Sequence, residues 1–276
     1  PVIGGLDEPG ATNEEESLVE LNQMTTLQAI PGSAAFGTLV HSLLEHLDFT
    51  SSSVEDDLSE LCYEYMQYQP IDCDPGVLAQ GLSAMLKAPL GGPLGDVNLA
   101  SISRNNRLDE LDFLLPLSGS SAEAVAGVVA SRLPADDPFW PWFQQVAGGG
   151  VTVPITGMLT GSIDLVARVN GSYFIADYKT NRIGNDARFT RDEMTNEMNH
   201  HGYPLQALLY LVAFRRFLRR RHPALNPDDV LHGAAYLFVR GMVPSQPLDD
   251  IRGVMWWQPT ADVLDAVDEL FGQGKS

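Results

Sequence analysis

The stretch from Gly157 to Thr180 constrains the fold most, because it contains a two-residue turn between two strand-like segments. Asn170-Gly171 favours a type I′ turn, which needs positive φ at both central positions. The flanking segments are rich in β-branched, aromatic and apolar residues, as β-strands prefer. The sequence therefore predicts an antiparallel hairpin.

A two-residue turn also determines the register, because residues equally distant from the turn face each other. Asp164 is then opposite Asp177, and Ser162 is opposite Lys179. Side chains alternate between the faces of a strand, so these polar groups share one face. The other face collects the apolar side chains of Ile163, Leu165, Ala167, Val169, Phe174, Ala176 and Tyr178.

Two directly opposed carboxylates lie about 5 Å apart and repel each other, so the predicted Asp164–Asp177 pair needs a cation. A hard divalent metal such as Mg²⁺ suits oxygen ligands, and Lys179 adds a positive charge nearby. The alternative is a surface hairpin whose polar face is simply hydrated. Lys179, on the same face as Asp177, favours a functional site.

Several motifs occur in an order that resembles a known family. They are Phe36-Gly-Thr-Leu-Val-His41, Glu110-Leu-Asp-Phe113, Gly161-Ser-Ile-Asp164, Ile175-Ala-Asp177-Tyr178-Lys179, Tyr203-Pro-Leu-Gln206-Ala-Leu-Leu-Tyr210 and Ala235-Tyr-Leu-Phe-Val-Arg-Gly241. From about residue 31 to 257, this pattern is similar to the PD-(D/E)XK nuclease clan. It most resembles the C-terminal nuclease domain of RecB, the helicase–nuclease subunit of the RecBCD recombination complex.

The resemblance implies an α/β, restriction-endonuclease-like fold, in which a mixed central β-sheet is flanked by helices. It also implies roles for individual residues. Asp164, Asp177, Lys179 and Glu110 would be catalytic, with Asp112 as the rival to Glu110. A lone histidine on a helix is usually structural, but the resemblance makes His41 a metal ligand. The expected metal ligands are His41, Asp164, Asp177 and the backbone carbonyl of Tyr178.

A polar stripe marks the helix expected at 204–221. Tyr203, Gln206 and Tyr210 lie on one helical face, and the resemblance implies that this face lines the DNA. Gln206 could instead satisfy a buried backbone group. Arg215 and Arg219 belong to an arginine cluster near the end of this helix, where cations are favourable. We expect this cluster to meet DNA phosphate or an acidic protein surface.

The implied activity is metal-dependent hydrolysis of DNA by an exonuclease that could also cut single strands internally. Mg²⁺ is the expected cofactor, with Ca²⁺ or Mn²⁺ as substitutes. Two cysteines exclude the four-cysteine iron–sulfur cluster of some relatives. The final Gly274-Lys275-Ser276 does not complete a P-loop, so no ATP site is expected. The alternative function is a non-catalytic domain that recruits a partner.

The implied partners are single- and double-stranded DNA ends, a RecB helicase domain on the same parent chain, RecC- and RecD-like subunits and a RecA-like recombinase. A net charge of −19 argues against tight autonomous DNA binding, although five of the 17 basic residues lie within 215–221. The chain begins with Pro1 rather than Met, so we expect a piece of a longer polypeptide. With no signal peptide or long apolar span, we expect a cytoplasmic protein without a membrane partner.

The chain is divided here into an acidic tether, residues 1–30, and a nuclease domain, residues 31–276. Local patterns predict strands within 97–117, at 232–240 and at 253–257, and a partly helical polar stretch at 181–202. Helices are expected at 33–48, 54–69, 75–87, 121–132, 137–147, 204–221 and 260–271. Packing into the core is favoured over base stacking for Tyr63, Tyr65, Met66 and Tyr68. A core position, or one against a neighbouring domain, is expected for Trp140, Trp142 and Phe143.

Overall fold

One five-stranded sheet organises the chain, with its strands in the order β1-β2-β3-β4-β5. The computed structural model describes residues 27–116, 121–149, 158–184 and 188–272. The strands are β1 (Arg107–Pro116), β2 (Met158–Val169), β3 (Ser172–Lys179), β4 (Leu231–Phe238) and β5 (Val254–Trp257). The first three form an antiparallel meander, β4 is parallel to β3, and β5 is antiparallel to β4. The sheet is therefore mixed, as predicted.

Helices cover both faces of this sheet and bury a separate apolar cluster on each. One face carries α1 (Ala34–His46), α2 (Val54–Met66) and α3 (Pro75–Leu86). The helices on the other face are α4 (Ala122–Ala130), α5 (Trp140–Ala147), α6 (Arg191–His201), α7 (Tyr203–Arg221) and α8 (Ala261–Gly272). The predicted α/β architecture is confirmed, and the parallel β3–β4 pair is joined by a crossover through α6 and α7, as parallel strands require.

The central hairpin has the predicted register. Asn170 and Gly171 adopt φ values of 51° and 89°, and the pairs run from Val169–Ser172 to Leu165–Ala176. The predicted face is wrong for Ile163, however. It packs in the α4–α8 cluster, whereas Leu165 packs in the α1–α3 cluster. Strict alternation would place both on one face, so β2 changes face between them.

Strand β1 also changes face, at Glu110, beside the point where β2 does. Glu110 adopts a φ of 51°, a left-handed conformation that is uncommon outside glycine. Before it, Arg107 packs on Phe49 of the α1–α3 side; after it, Leu115 belongs to the α4–α8 cluster. The pairing with β2 keeps one register across this point. The two strands therefore rotate together at the level of Glu110 and Asp164.

Residues just before α1 belong to the folded region. Leu27 and Ile30 are buried, and Arg240, which is itself buried, donates hydrogen bonds to both of their carbonyl oxygens. Arg240 also donates to the carbonyl of Thr180 at 2.8 Å. The domain thus begins by residue 27, which corrects the boundary expected at residue 31. The rest of the predicted tether, residues 1–26, lies outside the described residues.

The arginine cluster of α7 mainly joins α7 to α8. Arg215 is 1% exposed and lies 2.7 Å from Asp228 and 3.0 Å from Asp265. Arg219 forms ion pairs with Asp265 and Asp268. The guanidinium of Arg215 is therefore inaccessible to phosphate in this fold, and its predicted DNA contact is wrong. Arg219 is paired with two carboxylates but its side chain is 40% exposed, so its DNA contact stays a prediction.

The aromatic predictions have mixed outcomes. Tyr63 and Tyr68 are 68% and 82% exposed, so the predicted core packing is wrong for both. Tyr65 and Met66, by contrast, pack against the α1–α3 cluster. Trp142 and Phe143 are buried in the α4–α8 cluster, and Trp140 packs against it. Tyr68 lies beyond the end of α2, and within α2 the sequence did not distinguish the exposed Tyr63 from the half-buried Tyr65.

No helix within the described ranges is long and apolar enough to span a bilayer.

We expect Arg215→Ala to lower the free energy of unfolding by about 3–5 kcal/mol, because it removes one partner of a buried ion pair and leaves a cavity. Arg220, which is exposed on the same helix and makes no ion pair within the described residues, is the control. Arg220→Ala should change the stability by about 0.5 kcal/mol or less. Urea unfolding measures both values, and equal losses would contradict the structural role of Arg215.

Candidate active site

The carboxylate of Asp164 lies where β2 and β3 stop pairing. The recorded pairs end at Leu165–Ala176, one position short of the predicted Asp164–Asp177 pair. There, Oδ2 of Asp164 accepts a hydrogen bond of 2.8 Å from the backbone N–H of Tyr178. A side chain has thus replaced a main-chain acceptor. This leaves the Asp164 carboxylate anchored in the gap between the strands.

Helix α1 brings His41 to this carboxylate. The helix begins at Ser33, whose side chain accepts from the N–H of Phe36 at 3.0 Å, and its apolar stripe is buried on the sheet. His41 lies at the flank of that stripe, and its Nε2 is 3.0 Å from the carbonyl oxygen of Tyr178. Because a carbonyl can only accept, Nε2 must carry the proton.

This bond determines what the other ring nitrogen can do. In a neutral imidazole with its proton on Nε2, Nδ1 carries a lone pair. Nδ1 of His41 lies 3.5 Å from Oδ2 of Asp164. Two acceptor atoms therefore face each other, and a cation or a proton between them would stabilise the arrangement. A backbone carbonyl that orients a histidine in this way is common around metal ligands.

Glu110 completes a group of three ligand-type side chains. One ligand atom from each of His41, Glu110 and Asp164 lies within 4.8 Å of the others. The left-handed backbone of Glu110 occurs at this position, and such strained residues are concentrated at functional sites. Asp112, the rival candidate, follows the point where β1 changes face. Its side chain is exposed and is not part of the group. The structure therefore favours Glu110.

The electrostatics of Asp164 favour a positive charge beside it. Burial, and after it the neighbouring charge of Asp177, raises the pKa of this carboxyl to about 8. The hydrogen bond from Tyr178 and the charge of Lys179 act in the opposite direction but do not compensate. A divalent cation beside Asp164 would remove the cost of keeping it ionised.

Lys179 is nearly buried and held from several sides. Its Nζ lies 2.6 Å from Oδ1 of Asp177 and donates to Oε1 of Gln206 at 3.2 Å. The same ammonium is 3.8 Å from the centroid of the Tyr203 ring, within range of a cation–π interaction. An ammonium has three donors, so these contacts leave one hydrogen for a further acceptor. Asp177 is thus engaged by Lys179 rather than grouped with the three ligand-type side chains.

Gln206 fixes the position of Lys179 from α7. Its Nε2 donates to the hydroxyl of Tyr210 at 2.9 Å, which directs Oε1 towards Lys179. The hydroxyl of Tyr236 also donates to Oε1, at 2.9 Å. The amide of Gln206 therefore bonds to side chains, and the alternative that it satisfies a buried backbone group is wrong. The DNA contacts expected of Tyr203, Gln206 and Tyr210 remain predictions.

Two features of the site were missed in the sequence. Tyr236 reaches Gln206 because β4 pairs with β3 so that Tyr236 lies beside Asp177, and no local pattern reveals such a register. The second missed feature, the first residue of α6, could have been predicted from the sequence. Thr190 and Glu193 form a capping box, which the spacing Thr-x-x-Glu predicts. The polar stretch 181–202 is partly helical, as predicted.

Comparison with known proteins agrees with this geometry. The sequence model of the PD-(D/E)XK nuclease superfamily matches residues 16–251. The chain is 36% identical over 268 residues to the RecBCD enzyme subunit RecB of Mycobacterium tuberculosis H37Rv, covering 90% of the chain and 24% of that protein.

Two further relatives bear the same name. The identity is 33% over 295 residues to the protein of Mycolicibacterium smegmatis and 34% over 263 residues to that of Escherichia coli K12. These matches cover 97% and 92% of the chain, but only 27% and 20% of the relatives. The chain spans roughly a quarter of their length or less. The family match extends over most of the chain and includes the strands that carry Asp164, Asp177 and Lys179, so the chain belongs to the PD-(D/E)XK nuclease superfamily.

Proposed function

We propose that this chain is a metal-dependent deoxyribonuclease that hydrolyses phosphodiester bonds. The observation that carries the proposal is the meeting of acceptor atoms from His41, Glu110 and Asp164 beside the buried ammonium of Lys179. Membership of a nuclease superfamily supports the same reaction class. In this arrangement negative ligands and a fixed positive group lie next to each other, as phosphate hydrolysis requires.

The donor set fits a divalent cation. Carboxylate oxygens suit Mg²⁺, and a neutral imidazole suits Mn²⁺ and other transition ions. The facing acceptors of His41 and Asp164, and the raised pKa of Asp164, are the features that such an ion would relieve. We propose Mg²⁺ as the physiological ion, with Mn²⁺ or Ca²⁺ able to enter. Asp177 and the carbonyl of Tyr178 border this group and remain proposed ligands.

The side chains then have separate tasks. A divalent ion held by His41, Glu110 and Asp164 would supply a Lewis acid for water activation and for neutralising phosphate charge. Lys179 uses two of its three donors on Asp177 and Gln206, and its third can orient an attacking water or stabilise charge on a phosphate oxygen. Because Lys179 is only 9% exposed, its electrostatic effect is less screened than at the surface.

The relatives named RecBCD enzyme subunit RecB suggest the biological setting. We propose that the chain is the nuclease part of such a subunit in the cytoplasm, connected to a helicase part and associated with RecC- and RecD-like subunits. It would act on single- and double-stranded DNA ends in double-strand break repair and in degradation of linear DNA, with a RecA-like recombinase as a further partner. A net charge of −19 favours delivery of DNA by a complex.

The experiment that tests the proposal compares linear and circular single-stranded DNA as substrates. The purified chain is incubated with each DNA in Mg²⁺ or in EDTA, and Asp164→Asn serves as the inactive control. Cleavage of linear DNA in Mg²⁺ alone supports a metal-dependent nuclease. Cleavage of the circle in addition supports endonuclease activity. If the folded chain cuts neither DNA, the non-catalytic recruiting role replaces the proposal.

We expect Asp164→Asn to abolish cleavage and to stabilise the metal-free fold at alkaline pH. Because the folded-state pKa of Asp164 is raised to about 8, the folded chain holds more protons than the unfolded chain between about pH 4 and pH 8. The free energy of unfolding therefore falls as pH rises through this window, by roughly a few kcal/mol. Asn removes this contribution.

Thermal unfolding in EDTA, at about pH 5 and about pH 8.5, measures this effect. The control is Asp112→Asn, which changes an exposed carboxylate on the same strand as Glu110. Divalent metal should raise the melting temperature of the wild type at alkaline pH and that of Asp164→Asn much less. A pH slope that is identical in the wild type and in Asp164→Asn would refute the assignment.

We expect Lys179→Met to reduce kcat by roughly 100-fold or more while metal binding is retained. An ammonium is not a metal ligand, and Asp177 becomes more available to a cation once Lys179 is gone. Methionine preserves most of the side-chain volume at this buried position. Titration calorimetry with Mn²⁺ gives the affinity, and circular dichroism verifies the fold. A loss of metal affinity as large as that of Asp164→Asn would show that Lys179 does not have this role.

A further inference from the structure

A pocket separate from the metal-ligand group lies at the turn end of the hairpin, between the sheet and the second half of α7. Its volume is about 280 Å³. Its lining includes Leu108, Val166 and Phe217 as apolar surface and Arg168, Arg221 and His222 as basic surface. We refer to it as the α7 pocket. None of the proposed catalytic or metal-binding side chains lines it.

The aromatic wall of the α7 pocket offers an exposed ring. Phe217, in the second half of α7, is 37% exposed and presents part of its ring to solvent. Its ring stacks on the buried Phe214 at a centroid distance of 5.8 Å and an interplanar angle of 16°. Phe214 is held in turn by an edge contact with Tyr173. The ring of Phe217 is therefore supported from behind by two other rings.

The basic side chains of the pocket differ from the rest of the α7 cluster. Arg215, Arg216 and Arg219 are all paired with aspartates. Arg168 and Arg221 are exposed, and no carboxylate in the described part of the chain lies within salt-bridge distance of either. Arg168 instead extends over the ring of Tyr173, 5.9 Å from its centroid. In a chain of net charge −19, two uncompensated arginines beside one pocket indicate an anionic ligand.

The α7 pocket is also close to the candidate active site. Leu108 in the pocket and Glu110 in the ligand group are two residues apart on β1, a separation of about 7 Å along the strand. Helix α7 carries both Gln206, which positions Lys179, and Phe217, 11 residues later and about 16 Å along the helix. A strand with about five phosphates between the two sites could therefore occupy both, since phosphates repeat about every 3.4 Å along a stacked strand.

We propose that the α7 pocket is a subsite for single-stranded DNA, a few nucleotides from the scissile phosphate. One base stacks on Phe217, and the adjacent phosphates pair with Arg168 and Arg221. This inference rests on the proposed nuclease function. An acidic protein segment would satisfy the arginines equally well. A supported aromatic ring and two guanidinium groups without carboxylate partners in one pocket, on the elements that carry the proposed active site, favour a nucleic-acid strand.

The test measures DNA binding without cleavage. Fluorescence anisotropy in Mg²⁺ is recorded for the full 276-residue chain in the Asp164→Asn background, with labelled single strands of about three and about twelve nucleotides. Two variants are added to this background, namely Phe217→Ser and the pair Arg168→Gln with Arg221→Gln. The control pair Lys87→Gln with Arg132→Gln removes the same total charge outside the pocket.

For the longer strand we expect Phe217→Ser to weaken binding by about tenfold, as expected for the loss of one base-stacking contact. The double arginine variant should reduce the slope of log K against log salt by about 1.4, because two phosphate contacts are lost at about 0.7 each. Both effects should be several-fold smaller for the shorter strand. The control pair should change the affinity through the general charge effect alone.

Several results would overturn the inference. They are unchanged affinity of the longer strand in both pocket variants, an equal loss for the two strand lengths, and an equal loss in the control pair. The first result, combined with tight binding of a Glu/Leu-rich peptide that Phe217→Ser abolishes, would assign the pocket to a protein segment.

Cleavage by the wild type is measured separately. A chain that cuts DNA yet shows one of these results refutes the subsite alone, whereas a chain that binds through the pocket but never cuts refutes the proposed function alone.

Discussion

The structure depends on the carboxylate of Asp164, which lies nearly buried where β2 and β3 stop pairing and where His41 of α1 approaches. It accepts from the N–H of Tyr178, while the carbonyl of the same residue accepts from His41. One residue of β3 thus connects β2 to α1 through its main chain. Because burial and the charge of Asp177 both disfavour the charged form of Asp164, a cation beside it would stabilise this junction. A fold that keeps such a group at its centre concentrates its electrostatic strain where the chemistry is proposed.

The site also lies where the two apolar clusters meet. His41 comes from the α1–α3 side, whereas Gln206 and Tyr236, which hold Lys179, come from the α4–α8 side. Regular strands would direct Glu110 and its neighbours to one side only. The coordinated change of face in β1 and β2 allows side chains from both layers to converge. The left-handed backbone of Glu110 therefore has a structural reason as well as a functional association.

Sequence analysis was most successful where interactions are local. The register from Val169–Ser172 to Leu165–Ala176 follows from a two-residue turn, and the helix boundaries follow from periodicity and capping. The family resemblance supplied His41 and Glu110, which local patterns could not. Tyr236 depends on a parallel register between distant strands, and the face of Ile163 depends on an unusual φ at Glu110. The burial of Arg215 could have been foreseen, since it occupies the apolar stripe between Leu211 and Leu218.

The distribution of arginine bears on the proposal that this acidic chain acts on a polyanion. Arg215, Arg216 and Arg219 contribute to joining α7 and α8, so their charge is neutralised within the fold. Arg240 is likewise buried against the backbone carbonyls of Leu27 and Ile30. These four arginines are therefore already engaged within the fold, and the charge of −19 leaves little long-range attraction for an external anion. Long-range attraction is weak in a chain of this charge, so under the proposed function binding would come from short-range stacking, ion pairing and a bound metal ion, after delivery of the strand by a complex.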